Sequence, residues 1–321
     1  MNTFGEKFRL SIFGESHGEG IGVVMDGVPP GIALSEADFE VDLARRRSGA
    51  KGTTPRKESD KPRILSGVFN GFTTGAPLAV TFTNDNTRSA DYSNLVTHPR
   101  PSHADWVASK KYKGFQDYRG GGHFSGRLTL TLVTAGVVAK KILGGIQITS
   151  KITTLGGVTD EGRFDEVVQR AVKELDSIGG IIECTATGVP VGLGDPFFGS
   201  IESVMSHLLF SIPAIKGVEF GNGFAAAALK GSENNDPIIS ADGTTATNNS
   251  GGINGGITNG NPIVVRVAVK PTASITKEQM SLNTETGQVE PMSVHGRHDA
   301  CIALRAPVVV EAAVAIALAQ F

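Results

Sequence analysis

The chain has 321 residues, 40% of them hydrophobic, which is enough to bury one large core, and its formal charge of -2 excludes polyanion binding through a bulk field. Its only cysteines, Cys184 and Cys301, stand far apart in no ligand-like spacing, which argues against a disulfide framework or a zinc site and predicts reduced core thiols. The first residues contain no apolar signal-like run, and the most apolar stretch, 308–319, is too short for a bilayer and carries Glu311, so a soluble cytoplasmic protein is expected.

Residues 9–13 and 22–28 read as strands joined by a glycine-rich turn that holds Ser16 and His17. Pro29-Pro30-Gly31 ends the second strand. Ser35 reads as the N-cap of a helix that runs to Arg45-Arg46-Arg47, with Glu36 and Asp38 in its first turn. Residues 48–62 read as a mobile, cation-rich loop, and 64–69 and 77–83 as strands. Residues 128–143 are apolar enough for a buried helix stopped by Gly144-Gly145. Residues 164–178 are amphipathic, with Val167, Val168, Ala171, Val172 and Leu175 on one face, and 201–209 suggest a further helix before Pro213. Residues 231–262 read as a long polar loop, and loops of that length in compact domains are usually functional or mobile. A strand over 261–270 and a helix over 308–319 close the chain. Short turns between neighbouring strands predict antiparallel pairing and an α+β fold, and no linker divides the chain, so a single domain over 1–321 is expected.

Four segments concentrate proton-transfer and anion-binding side chains: Phe13-Gly-Glu-Ser-His-Gly18, Ser102-His103-Ala-Asp105, Arg119-Gly-Gly-Gly-His123 and Gly296-Arg297-His298-Asp299. The first matches the G-x-S-x-G nucleophile elbow, but that elbow needs a helix directly after the serine, and a β-type run follows here. A tight turn whose histidine caps local backbone is the plainer alternative. His103 has a carboxylate two residues on, which can fix its ring tautomer; alternatively Ser102 caps a helix through Trp106 and Tyr112. The glycines at 120–122 and 251–260 let backbone approach a ligand closely, yet neither run is a P-loop or a dinucleotide fingerprint. The triple arginine can equally be a solvated helix C-terminus, and Arg297 beside Asp299 a structural pair.

These blocks, with Asp26-Gly-Val-Pro-Pro-Gly31, Asp117-Tyr-Arg-Gly-Gly-Gly122, Lys216-Gly-Val-Glu219 and Lys270-Pro-Thr272, resemble the chorismate synthase family nearly end to end. The resemblance implies a β-α-β sandwich with helices packed between antiparallel sheets, a homotetramer, and reduced FMN (FMNH2) as cofactor. It implies elimination of phosphate from 5-enolpyruvylshikimate 3-phosphate to give chorismate, with no net redox change. It places His17 at the leaving phosphate, His103 against the flavin and Asp299 as proton acceptor or relay, with Ser16 and Ser125 in support. Arg46, Arg56, Arg100, Arg127 and Arg297 are the arginines implied for the substrate's anionic groups. His123, Phe124, Ser125, Asn249, Ser250, Gly260, Lys270, Pro271, Thr272, Ala273, Ser274 and Arg297 are implied at the flavin. The chain departs from the usual pattern at His123, Phe124, Leu128, Ala273 and Ala300. No separate nucleotide-binding domain is visible for NADP(H), so an external flavin reductase is the expected source of reduced FMN.

Overall fold

The computed structural model describes residues 1–49, 52–54, 59–85, 95–294 and 298–321. The first half builds an antiparallel sheet. Strand β1 (Thr3–Phe4) lies at one edge beside β2 (Arg9–Gly14), which turns at Ser16 into β3 (Gly20–Asp26). After β3 come helix α1 (Glu40–Arg46), β4 (Arg63–Ser66), the small hairpin β5 (Val68–Phe69) and β6 (Phe72–Thr73), and then β7 (Leu78–Thr83). The five-stranded order is β1-β2-β3-β7-β4. Its inner face follows the two-residue period of a strand: Ile21 pairs with Phe82, Val23 with Val80 and Met25 with Leu78, all buried. The single strand expected over 64–69 is broken in two because Gly67 adopts a φ of +87°. Ser35 does initiate helix: its N–H and hydroxyl both donate to Asp38 Oδ2, at 2.7 and 2.9 Å, above a short turn (Glu36–Phe39) that leads into α1.

Helix α2 (Asp105–Lys111) begins at Ala104 and not at Ser102, whose φ of +58° lies outside helical space. Helix α3 (Thr129–Leu143) is buried from Thr129 through Ala139 and stops at Gly144 with a φ of +63°, as its sequence predicts. The second half contributes β8 (Gln147–Leu155), α4 (Phe164–Lys173), β9 (Gly180–Thr187), α5 (Ile201–Ser211), β10 (Ile215–Phe220), α6 (Gly231–Asn234), β11 (Ile253–Asn254), β12 (Ile257–Thr258), β13 (Ile263–Val269), β14 (Gln279–Leu282), β15 (Val289–Met292) and α7 (Pro307–Leu318). Four of these strands pair antiparallel in the order β10-β13-β9-β8. Helix α4 stops short of the expected residue 178 because its buried face ends at Ala171 and Leu175 turns left-handed, with a φ of +57°.

The helices fill the space between the two sheets. Helix α3 packs on β3 and on α7, and α7 packs on α3, α5, β8 and β9. A Cβ on Gly136 would collide with Ala312, so a glycine is what lets α3 and α7 approach. Helix α7 is apolar on every side, as expected for a helix covered all round. Its one charge, buried Glu311, accepts from Arg45 Nη1 and Nη2 at 2.7 Å each, from Ser150 Oγ at 2.7 Å and from Lys140 Nζ at 3.3 Å. Burial alone would raise that carboxyl's pKa; the bonds from Arg45 and Ser150 outweigh it and hold it below the usual range. One apolar core runs from Phe8 to Leu318 through both sheets and the helices. The fold is therefore the α+β sandwich that the resemblance implies. Cys184 and Cys301 are buried free thiols, and burial pushes Cys301 up to about 11. Among the described residues, no helix is long and apolar enough to cross a membrane.

The polar stretch 231–262 is tied to one carboxylate. Asp236 accepts from the N–H groups of Asn249 and Ser250 at 2.7 and 2.8 Å and from Thr247 Oγ at 2.6 Å, and the β11–β12 hairpin turns at Gly255-Gly256.

Candidate active site

A cavity of about 860 Å³ opens beside the C-terminal end of β2, and it gathers residues from both halves of the chain. Its polar wall includes His17, Arg46, Asp60, Arg100, His103, His123, Arg127, Asp299 and Arg305; Leu10, Ile12, Leu132 and Leu208 form an apolar wall.

The turn after β2 is fixed from several directions. Ser16 N–H donates to Gly122 O at 3.1 Å, while Asn84 Nδ2 donates to Glu15 O at 2.9 Å and Gly18 O at 2.8 Å. Gly120, Gly121 and Gly122 follow one another with φ of +59°, +82° and +54°, a conformation that favours glycine. A Cβ on Gly120 would collide with Cε1 and Nδ1 of the His17 imidazole and lie 2.9 Å from Ser16 Oγ. One on Gly121 would touch His103, 3.4 Å from Cε1 and 3.5 Å from Nε2. His17 and His103, 86 positions apart in the numbering, thus meet consecutive glycines of one loop. Ser16 is fully buried, its Oγ has no hydrogen-bond partner among the described residues, and β3 rather than a helix follows it. The serine-hydrolase context is absent, as the β-type run predicts.

His103 is oriented by Asp105. The ring Nδ1 lies 2.7 Å from Asp105 Oδ1, so Nδ1 carries the proton and Nε2 is directed to the glycine loop. Arg100 Nη2 is 3.0 Å from the same Nδ1, but two donors cannot bond each other, and its real acceptor is Asp105 Oδ1 at 2.8 Å. Arg100 also gives Nε–H to Asp105 Oδ2 at 2.7 Å and Nη1–H to Ser274 Oγ at 2.8 Å. Its planar fork is thus engaged within the protein and links α2 to residues 270–274. Burial would raise the Asp105 pKa, but the hydrogen bonds from Arg100 and then His103 hold it far below the usual carboxylate range.

The triple arginine divides three ways, because successive helical residues point about 100° apart. Arg45 binds Glu311, Arg47 binds Glu40 Oε1 at 3.1 Å, and Arg46 enters the cavity wall. It is not the solvated end that its composition alone allows. Arg46 is buried, and its nearest carboxylate oxygen, Asp60 Oδ2, is 3.7 Å away. Burial lowers its pKa to about 10 despite the opposing charge of Asp60, with Arg305 and Arg127 adding to the fall. Arg127 gives Nη1–H to Asp60 Oδ1 at 2.9 Å and Nε–H to Asn84 Oδ1 at 2.6 Å. Asp299 accepts from Thr54 N–H at 2.9 Å and from Arg305 Nη2 at 2.7 Å. Arg56 and Arg297 lie outside the described residues, and the arginine found on Asp299 is Arg305. Sequence reasoning missed Arg305, Asp60 and Asn84. An isolated arginine in the apolar run 301–310 was the one available signal.

His123, Phe124, Ser125 and Lys270, Pro271, Thr272, Ala273, Ser274 border the same cavity. Ser125 Oγ accepts from Arg127 N–H at 3.3 Å, Lys270 Nζ donates to Ser102 O at 2.6 Å, and Thr272 Oγ1 is buried with no partner among the described residues. An orphaned hydroxyl on a polar wall, in a volume inside the roughly 300–1,000 Å³ of ligand pockets, fits a phosphorylated planar cofactor. Asn249, Ser250 and Gly260 do not border the cavity; the first two are held by Asp236, and Gly260 lies against Val191.

Helices enclosed by two antiparallel sheets, with imidazoles, buried guanidinium groups and a carboxylate around one cavity, define an enzyme-like site for proton transfer beside a bound anion. The chain belongs to the chorismate synthase family, whose family description matches residues 8–321. A chorismate synthase of Chitinophaga pinensis is 61% identical over 322 residues, covering 100% of this chain and 96% of its own. Those of Dehalococcoides mccartyi and Korarchaeum cryptofilum are 44% and 45% identical, each match covering 99% of this chain and 96% of the relative. A crystal structure of chorismate synthase aligns with a TM-score of 0.76 at 29% identity, covering 99% of this chain and 92% of that one.

Proposed function

We propose that this protein is a carbon–oxygen lyase that converts 5-enolpyruvylshikimate 3-phosphate to chorismate and phosphate by anti-1,4 elimination, in the shikimate pathway, and that it requires reduced FMN. Beyond family membership, the observation that carries this reading is the meeting of His17 and His103 at adjacent glycines, in a cavity that also holds buried Arg46 and Asp299.

The reaction breaks a carbon–oxygen bond to phosphate and a distant carbon–hydrogen bond, and the electrons of the latter form a new double bond. His17 is the group that protonates the departing phosphate. Arg46, with no carboxylate among the described residues closer than 3.7 Å, is suited to an anionic group of the substrate. Arg305, whose Nε has no partner among the described residues, is suited to another. Asp105 fixes the proton of His103 on Nδ1, leaving Nε2 for the reaction centre. Asp299, bonded by Thr54 N–H and Arg305, is the carboxylate that takes the proton lost from the ring. Phe124, Ser125 and residues 270–274 would hold the flavin. When bound in reduced form, it supplies electron density that eases loss of phosphate and is recovered as the proton leaves, without net redox change.

The same reading includes a homotetramer, to which exposed Phe197, Phe198, Phe224, Ile238 and Ile239 offer apolar surface. It also includes a cytoplasmic location and an external flavin reductase, with no NADP(H) oxidation by the chain itself. The deciding test is anaerobic phosphate release from the substrate with chemically reduced FMN. Turnover with reduced and not with oxidised FMN is expected; flavin binding without phosphate release would make the chain a non-catalytic binder.

A further inference from the structure

We propose that His123 is a positioning residue for the turn that carries Ser16 and His17, and not a flavin ligand. Its Nδ1 lies 2.8 Å from the carbonyl oxygen of Gly14, the last residue of β2. A carbonyl only accepts, so Nδ1 carries the proton. Its Nε2, an acceptor in the neutral ring, lies 3.0 Å from Asn2 Oδ1, so the two bond when the Asn2 amide is turned to present Nδ2–H; the main-chain carbonyl of Asn2 accepts from Ile12 N–H at 2.9 Å. Nδ1 is therefore taken by the main chain of the turn, and Nε2 faces the Asn2 side chain.

The bond to Gly14 has a counterpart in the opposite direction. Ser16 N–H donates to Gly122 O at 3.1 Å, so the two loops are stitched by reciprocal bonds, one on each side of Glu15. At and just after the second stitch the chain presents the Ser16 hydroxyl and the His17 ring against Gly120. Loss of the His123 bond leaves the Gly14 carbonyl without this donor and frees the turn on the side facing the cavity. The turn then keeps the bonds made by Ser16 N–H, Gly18 N–H and Asn84.

Two substitutions separate the ring nitrogens. His123→Asn keeps an N–H near the place of Nδ1 and drops the contact with Asn2, whereas His123→Gln keeps a polar group near Nε2 and drops the bond to Gly14. In ligand-free protein, amide hydrogen exchange at Ser16 should be about tenfold faster in His123→Gln than in His123→Asn, with α7 amides unchanged in both. In anaerobic phosphate release, kcat should fall about tenfold in His123→Gln with KM unchanged, and recover in His123→Asn. Oxidised FMN should bind both variants within about twofold of the parent, since no contact to it is lost. Equal Ser16 exchange in the two variants overturns the proposal. So does FMN binding weakened about tenfold in both alike, with kcat recovered at saturating flavin. The kinetic arm rests on the lyase reading. If the parent releases no phosphate, that reading fails, and the exchange comparison still decides the role of His123.

Discussion

Gly120→Ala tests whether the two histidines work through the shape of one loop. The φ of +59° at this position costs a residue with a Cβ about 1–2 kcal/mol. The added methyl would also collide with His17 Cε1 and Nδ1 and lie 2.9 Å from Ser16 Oγ, where ordinary contact begins at 3.4 Å. The hydroxyl must retreat by about half an ångström and the imidazole by about one, and a misplacement of about 1 Å is enough to cost on the order of a hundredfold in rate. The expected result is a folded protein, about 1–2 kcal/mol less stable to urea, with phosphate release down roughly a hundredfold. Gly121→Ala is the internal control: its φ of +82° carries similar strain, but its Cβ only touches His103 at 3.4 Å. Both variants should therefore lose similar stability, and Gly120→Ala should lose far more activity. Equal turnover in the two, at equal stability, would show that the glycine loop does not set the position of His17.

His17→Ala and His103→Ala should each lower kcat by roughly two to four decades, the scale of a positioned acid–base group; near-parental turnover in either refutes the role given to it. Asp105→Asn removes the partner of a buried guanidinium, with side-chain exposures of 5% and 10%, and should cost about 3–5 kcal/mol in urea denaturation. The Asp105 carboxyl titrates in the folded state below its unfolded value of about 3.9, so its stabilisation is complete above that pH and is lost as pH falls towards the folded value. The parent's advantage over Asp105→Asn should therefore be equal at about pH 7 and pH 5 and shrink below about pH 4; growth on acidification would contradict the assignment. Glu311→Ala should cost about 2–3 kcal/mol, less than a fully buried pair, because Arg45 is 41% exposed and can rehydrate. An unchanged urea midpoint would mean that the cluster binding α1 to α7 adds nothing to stability.

How much of this site could be read in advance depended on how far each interaction reaches along the chain. Asp105 stands two residues from His103, so its role towards that ring was visible as spacing, whereas its pairing with Arg100, five residues away, was not read. The antiparallel pairing of β2 with β3 was visible for the same reason, since a turn of a few residues leaves those two strands no other arrangement. The guanidinium groups behave otherwise, because an arginine acts on a ligand or on the protein according to which carboxylate the fold brings to it. Arg45 finds Glu311 from 266 residues away and Arg127 finds Asp60 from 67, and neither pairing leaves a local mark. Arg46 enters the cavity wall, with Asp60 at 3.7 Å, because its neighbours on the helix turn elsewhere, a consequence of helical geometry acting on an anonymous run of three. A stretch rich in Asn, Gly and Ser can likewise face a ligand or satisfy itself, and nothing local announces that in 231–262 the carboxylate of Asp236 accepts from the N–H groups of Asn249 and Ser250. The imidazoles were the most legible groups because glycines beside them announce close backbone approach. Even there, the bracing role of His123 follows only from what lies opposite its ring nitrogens.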